Sequence, residues 1–176
     1  VQRRDKTITA CGRDAPRACI RNQLDYTSQV NIDEADEAYD MVLLHRRLSI
    51  IDLNASGHQP MCIDDGNIWI TFNGEIYNYI EIRKELQDKG CVFKSESDTE
   101  VVLYAYKIWG KKCLQKFNGM WAFVIFDKTK NILFGARDRF GVKPFYYYKD
   151  KDVFAFASEQ KALVKMPFIQ TGIRQE

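Results

Sequence analysis

Three short stretches carry residues whose types could do chemistry together. In ITFNGEIYNYIEI, residues 70–82, an apolar and aromatic run is interrupted by Asn73, Gly74 and Glu75. A side-chain amide and the N–H of a following glycine can aim at one point and stabilise an oxyanion during acyl transfer, each donor contributing roughly 3 kcal/mol of barrier. The same three residues also suit a strand-to-helix turn, where Asn and Gly adopt left-handed conformations cheaply. In HRRLSIID, Arg46 and Arg47 follow the apolar run Met41–Leu44. Strand alternation puts the two on opposite faces, so one points inward. A guanidinium held there is suited to clamping a carboxylate in bidentate fashion; a surface arginine pair is the other reading. In SESDTE, Asp98 stands at a helix start. It could accept from a ligand's ammonium, or simply complement the helix dipole. An arginine for a carboxylate, an acid for an amine and an amide–glycine pair for an oxyanion together describe a pocket for an amino acid with an acyl side chain.

The elements that must position these residues are marked in the chain. NIWITFN alternates Ile68, Ile70 and Phe72 against Trp69, Thr71 and Asn73, the period of a sheet, with the strand ending at Asn73. MVLLHRRLSIID reads as a strand turning into a loop. YNYIEIRKELQDKG places Tyr79, Ile82 and Leu86 on one helical face and stops at Gly90. SDTEVVLYAYKIWG opens with Ser97 and Glu100 in capping-box spacing and closes on Gly110. From 119 to 158, aromatic and β-branched runs separated by charged turns predict an antiparallel meander, and EQKALVK a short closing helix. Strands come in neighbouring groups rather than alternating with helices, which predicts an α+β fold. GARDRFGVKPFYYY mixes Arg137, Arg139 and Lys143 with aromatics, as single-stranded nucleic-acid surfaces do. The same aromatics suit the core of the meander, which is the reading preferred here. Residues 1–40 show no sustained period.

Composition narrows the classes. The 176 residues carry a formal net charge of +2, too small a margin to point to nucleic acid or a membrane surface. No apolar run reaches the length of a membrane span, and no signal-peptide pattern opens the chain. Cysteines at 11, 19, 62, 91 and 113 form no C-x-x-C pair and, with His45 and His58, a poor zinc set. They read as mostly buried, inert thiols of a reducing, cytoplasmic compartment.

HRRLSIIDLNASGHQPM, FNGEIYNY, SDTEV, NGMWAFVIFD, ARDRFGVKPFYY and ASEQKAL together resemble the glutamine amidotransferase domain of glutamine-hydrolysing asparagine synthetases. That is the class II type, built on the N-terminal-nucleophile hydrolase fold. The resemblance implies a four-layer αββα sandwich of two antiparallel sheets. It implies Arg47 on the glutamine α-carboxylate with backbone groups of Leu48, Ile50 and Ile51, and Asp98 on the α-ammonium with Glu75 and the Gly74 backbone beside it. Asn73 and the Gly74 N–H would form the oxyanion hole. The family's nucleophile is an N-terminal cysteine; Cys11, followed by Gly12, is the candidate, although Arg13, Asp14 and Pro16 do not continue a buried strand.

The expected organisation is an atypical segment 1–40, an amidotransferase domain 41–166 and, at 167–176, the start of a linker to an ATP-dependent synthetase domain. The amidotransferase domain itself needs no metal or other cofactor, ATP and Mg belonging to the synthetase domain. L-Glutamine and that domain are the expected partners, with a homodimer as a further expectation and neither nucleic acid nor membrane. The alternative is a relict without a nucleophile that serves as a binding or assembly scaffold.

Overall fold

The computed structural model describes residues 2–3, 6–7, 9–11, 28, 30–31, 39–46 and 55–169. Early in the chain, β1 (Gln2–Arg3) pairs antiparallel with β2 (Lys6–Thr7), and β3 (Ala10–Cys11) pairs parallel with β4 (Val30–Asn31). The central sheet follows. β5 (Met61–Ile63) turns through Asp64, Asp65 and Gly66, all at positive φ, into β6 (Ile68–Ile76). β6 pairs antiparallel with β7 (Gly119–Asp127), and β7 with β8 (Ile132–Arg137), giving the order β5-β6-β7-β8.

Asp127 fixes the β7–β8 turn. Its carboxylate accepts from Thr129 Oγ1 at 2.6 Å, Lys130 N at 3.1 Å, Lys130 Nζ at 2.7 Å and Tyr106 Oη at 3.2 Å. Burial alone would raise its pKa, but the bonds from Lys130, Thr129 and Tyr106 outweigh burial and lower it to about 2. A depressed carboxylate stabilises the fold above its unfolded pKa and loses that contribution as pH falls through the folded value. Asp127→Asn is therefore expected to be about 2 kcal/mol less stable at pH 7 by urea denaturation, with the gap closing between pH 4 and pH 2.

α1 (Tyr79–Gln87) and α2 (Asp98–Trp109) cover one face of the sheet. Ile82 and Leu86 of α1 are buried at the predicted helical spacing, whereas α2, read as a second amphipathic helix, is buried without interruption from Asp98 to Leu103. The start of α2 differs from a simple capping box. Ser97 Oγ accepts from Thr99 N at 3.2 Å, whereas Glu100 reaches past Ser97 to Lys94 N at 2.8 Å and to Ser95 N and Oγ at 2.7 Å each. The preceding loop folds back far enough to offer its own donors first.

Phe134 stacks on Tyr106 at 5.4 Å and meets Phe123 at 5.9 Å, so the face bearing Ile70, Phe72, Phe123 and Ile125 looks at α2. On the opposite face, a second antiparallel sheet of β9 (Tyr146–Lys149) and β10 (Phe154–Ala157) follows Phe145, which stacks on Phe156 at 5.9 Å. α3 (Gln160–Val164) packs against that sheet. The layers run helices, sheet, sheet, helix, as expected for the αββα sandwich.

Some local expectations change. β6 is covered on both sides, so Ile68 to Phe72 are all buried instead of alternating. The predicted meander divides between the two sheets, since β8 pairs with β7 and β9 with β10. Met41 forms an isolated bridge and 42–46 have no regular structure, so the strand predicted there is absent. Phe140, in the turn after β8, is exposed, and so are Tyr146 and Tyr147, because β9 belongs to a two-stranded sheet too narrow to cover them. Lastly, β6 does not stop at Asn73 but runs to Ile76, because Asn73, Gly74 and Glu75 continue to pair with Ala122, Trp121 and Met120.

Candidate active site

Two glycines let β6 and β7 meet where polar residues interrupt the apolar run. A Cβ on Gly74 would overlap the Met120 carbonyl oxygen and stand 2.7 Å from Trp121 Cα; one on Gly119 would overlap the Glu75 carbonyl oxygen. No side chain fits between these backbones, so the strand continues past Asn73 without being able to slide.

The outer edge of β6 is the more informative one. β5 pairs with β6 only from Ile68 to Ile70. In an antiparallel pair, alternate residues turn their N–H and C=O away from the partner strand. Phe72, Gly74 and Ile76 do so relative to β7. Phe72 N–H donates to Gln59 Oε1 at 2.7 Å, and Ile76 N–H donates to Asp98 Oδ2 at 2.9 Å. The Gly74 N–H lies between them on the same edge, and no acceptor among the described residues takes it. Pleating turns the Thr71, Asn73 and Glu75 side chains together to the face bearing Ala122 and Val124.

Asp98 sits in the first turn of α2 and is 4% exposed. Burial raises its pKa to about 6, against hydrogen bonds from Ile76 N and Thr99 N that lower it, while Glu75 adds a smaller like-charge push upward. The sign for stability follows. A carboxyl whose folded pKa lies above its unfolded value favours the fold at low pH, and that contribution is lost as pH rises through about 6. Asp98→Asn, which keeps an acceptor for Ile76 N–H, is expected to raise stability at pH 8 by up to roughly 3 kcal/mol and to change it little below pH 4. Thermal melts at the two pH values check this. A buried acid with no positive partner among the described residues is suited to a cationic ligand group.

Asn73, Gly74, Glu75 and Asp98 border a single cleft of about 830 Å³. Leu44, His45 and Arg46 form part of its rim, and the Leu44 carbonyl accepts from Thr71 Oγ1 at 3.2 Å. Arg47, Leu48, Ile50 and Ile51 lie outside the described residues, as does the side chain of Cys11, whose backbone pairs with Asn31. Lys143, Pro144 and Phe145 supply another wall. Their loop is organised by Asp138, which accepts from Trp121 N, Phe140 N, Val142 N and Lys143 N at 2.9–3.3 Å. Burial raises the Asp138 pKa, but these backbone donors outweigh it and hold the carboxyl below the usual range. Gln59 and Asp138 are the structural residues to which the sequence alone assigned no role, although both fall within motifs quoted above. Cys62, Cys91 and Cys113 are free thiols; burial pushes Cys113 up to about 12, as expected of an inert core cysteine.

The layer order is that of an αββα sandwich, and comparison with solved structures agrees. The glutamine phosphoribosylpyrophosphate amidotransferase from B. subtilis superposes with a TM-score of 0.57 and 25% identity, covering 68% of this chain and 28% of that one. Residues 30–176 match the family described as the glutamine amidotransferase domain, and the chain belongs to that family. Among curated relatives, Asparagine synthetase [glutamine-hydrolyzing] 1 of Bacillus subtilis is 51% identical over 119 residues, covering 68% of this chain. Putative asparagine synthetase [glutamine-hydrolyzing] 2 of Methanocaldococcus jannaschii is 44% identical over 140 residues, covering 72%. The matches span 19% and 27% of those relatives' lengths. Among the described residues, no helix is long and apolar enough to cross a membrane.

Proposed function

We propose that this chain hydrolyses the side-chain amide of L-glutamine to glutamate and ammonia. Within an asparagine synthetase-like protein, the ammonia would serve ATP-dependent amidation of aspartate or a related carboxylate. The observation that carries this reading is the open Gly74 N–H, bracketed by two satisfied donors, in the same cleft as the buried Asp98. In this reading Asp98, with Glu75 nearby, takes the α-ammonium. Arg47 takes the α-carboxylate with backbone groups of Leu48, Ile50 and Ile51. The α-amine of the nucleophile takes the thiol proton, and the thiolate adds to the amide carbon. The new oxyanion accepts from Asn73 Nδ2 and Gly74 N–H, and the C–N bond breaks as that proton passes to the leaving nitrogen, releasing ammonia. Water then releases glutamate from the thioester. The thiolate is that of an N-terminal cysteine, with Cys11 as the candidate. ATP and Mg act in a synthetase domain; a cytoplasmic location and homodimer assembly complete the proposal, with no role for nucleic acid or membrane.

An electrophilic glutamine analogue tests it. A single covalent adduct, placed by peptide mass spectrometry on a cysteine and prevented by excess glutamine, is the expected result. Glutamine binding without an adduct would favour the nucleophile-less scaffold, which the residues Arg13, Asp14 and Pro16 after Cys11 make the second reading. No binding at all overturns both. Because the ammonium needs ionised Asp98, glutamine affinity is expected to fall about tenfold between pH 7 and pH 5, and to lose that dependence in Asp98→Asn.

A further inference from the structure

Gln59 touches both halves of this site. It is 8% exposed and lies just before β5, on the wall of the cleft. Its Oε1 accepts from Phe72 N at 2.7 Å, where the ladder with β5 has already ended. Its Nε2 donates to Thr99 Oγ1 at 3.3 Å, next to Asp98 in the first turn of α2. One side-chain amide thus stands in for a missing stretch of edge strand and joins it to the helix start that carries the buried acid. Asp98 makes the matching bond to Ile76 N at 2.9 Å, so the peptide bearing the Gly74 N–H is held from two residues on either side.

We propose that Gln59 is a positioning residue: its bridge between Phe72 N–H and Thr99 holds the Gly74 N–H in register with Asp98, so that the oxyanion donor and the ammonium acceptor keep a fixed separation. This rests on the glutaminase reading of the cleft. A bridge acting on the reacting end governs the transition state more than ground-state binding, because the substrate backbone is gripped elsewhere. Loss of a hydrogen bond to a buried backbone donor also leaves Phe72 N–H without its acceptor.

Gln59→Met keeps the length of the side chain and removes both bonds. In the full chain it is expected to lower kcat for L-glutamine hydrolysis about 30-fold while KM changes less than roughly threefold. Thr99→Val should give a smaller kcat loss of the same pattern, and Thr99→Ser, which restores the hydroxyl, should recover it. Amide hydrogen exchange supplies a readout independent of turnover. Exchange at Phe72, whose N–H the bridge holds, should quicken about tenfold in Gln59→Met and in Thr99→Val, with Leu86 of α1 unchanged.

Unaltered exchange at Phe72, or a rise in KM at constant kcat, overturns the positioning role. If the parent protein neither binds nor hydrolyses glutamine, the glutaminase reading fails and the inference that depends on it falls too. The exchange data then still decide whether the bridge itself holds the edge. Should Gln59→Met not fold, the Thr99 pair carries the same test.

Discussion

Asn73→Ala is expected to lower kcat for glutamine hydrolysis by about 100- to 1,000-fold, with KM within roughly threefold of the parent and little change in melting temperature. The asymmetry follows from where Asn73 stands. Its backbone is held in the β6–β7 ladder opposite Ala122, while its side chain shares the cleft face with Thr71 and Glu75. Truncation therefore removes a donor to the developing oxyanion without disturbing the strand. A donor aimed at the oxyanion contributes more to the transition state than to the planar amide of bound substrate, so kcat registers the loss and KM barely moves. Steady-state kinetics on a variant with an unchanged melting curve is the check. A kcat within about fivefold of the parent would remove Asn73 from the oxyanion hole.

Gly74→Ala is expected to act on folding before it acts on chemistry. The added methyl meets backbone on the facing strand, not a side chain that could rotate away. β6 and β7 must separate at the centre of the sheet, at an expected loss of about 4 kcal/mol or more, a large share of a domain's total stability. Gly119→Ala meets the Glu75 carbonyl in the same strand contact and should behave alike. Because the two sites share one contact, the double variant should lose less than the sum of the singles. Urea midpoints measure all three, and a Gly74→Ala midpoint equal to the parent's would mean that the strands are not pressed together as described.

Much of the architecture was legible from local pattern. The helical spacing of Ile82 and Leu86, the serine ahead of Asp98 and the charged turns between apolar runs all produced the elements they predict. What failed was decided by distant partners. Asn73, Gly74 and Glu75 look like a strand terminus, and only β7, more than forty residues on, keeps them in the sheet. Glu100 had the right spacing for Ser97, but a loop that turns back offered Ser95 instead. Gln59 carried no local signal because its partners lie 13 and 40 residues away. Of the candidate site, Asn73, Gly74 and Asp98 were singled out by residue type and spacing and Glu75's part by resemblance, and all four border one cleft. The arginine segment, Arg47 with Leu48, Ile50 and Ile51, falls outside the described residues.

The brevity of β5 has a consequence of its own. An unpaired sheet margin ordinarily invites a neighbouring chain to zip along it. Here a glutamine and an aspartate plug the sockets on either side of one donor. The vacancy they leave is a single atom wide: an oxygen can settle into it, and another polypeptide cannot.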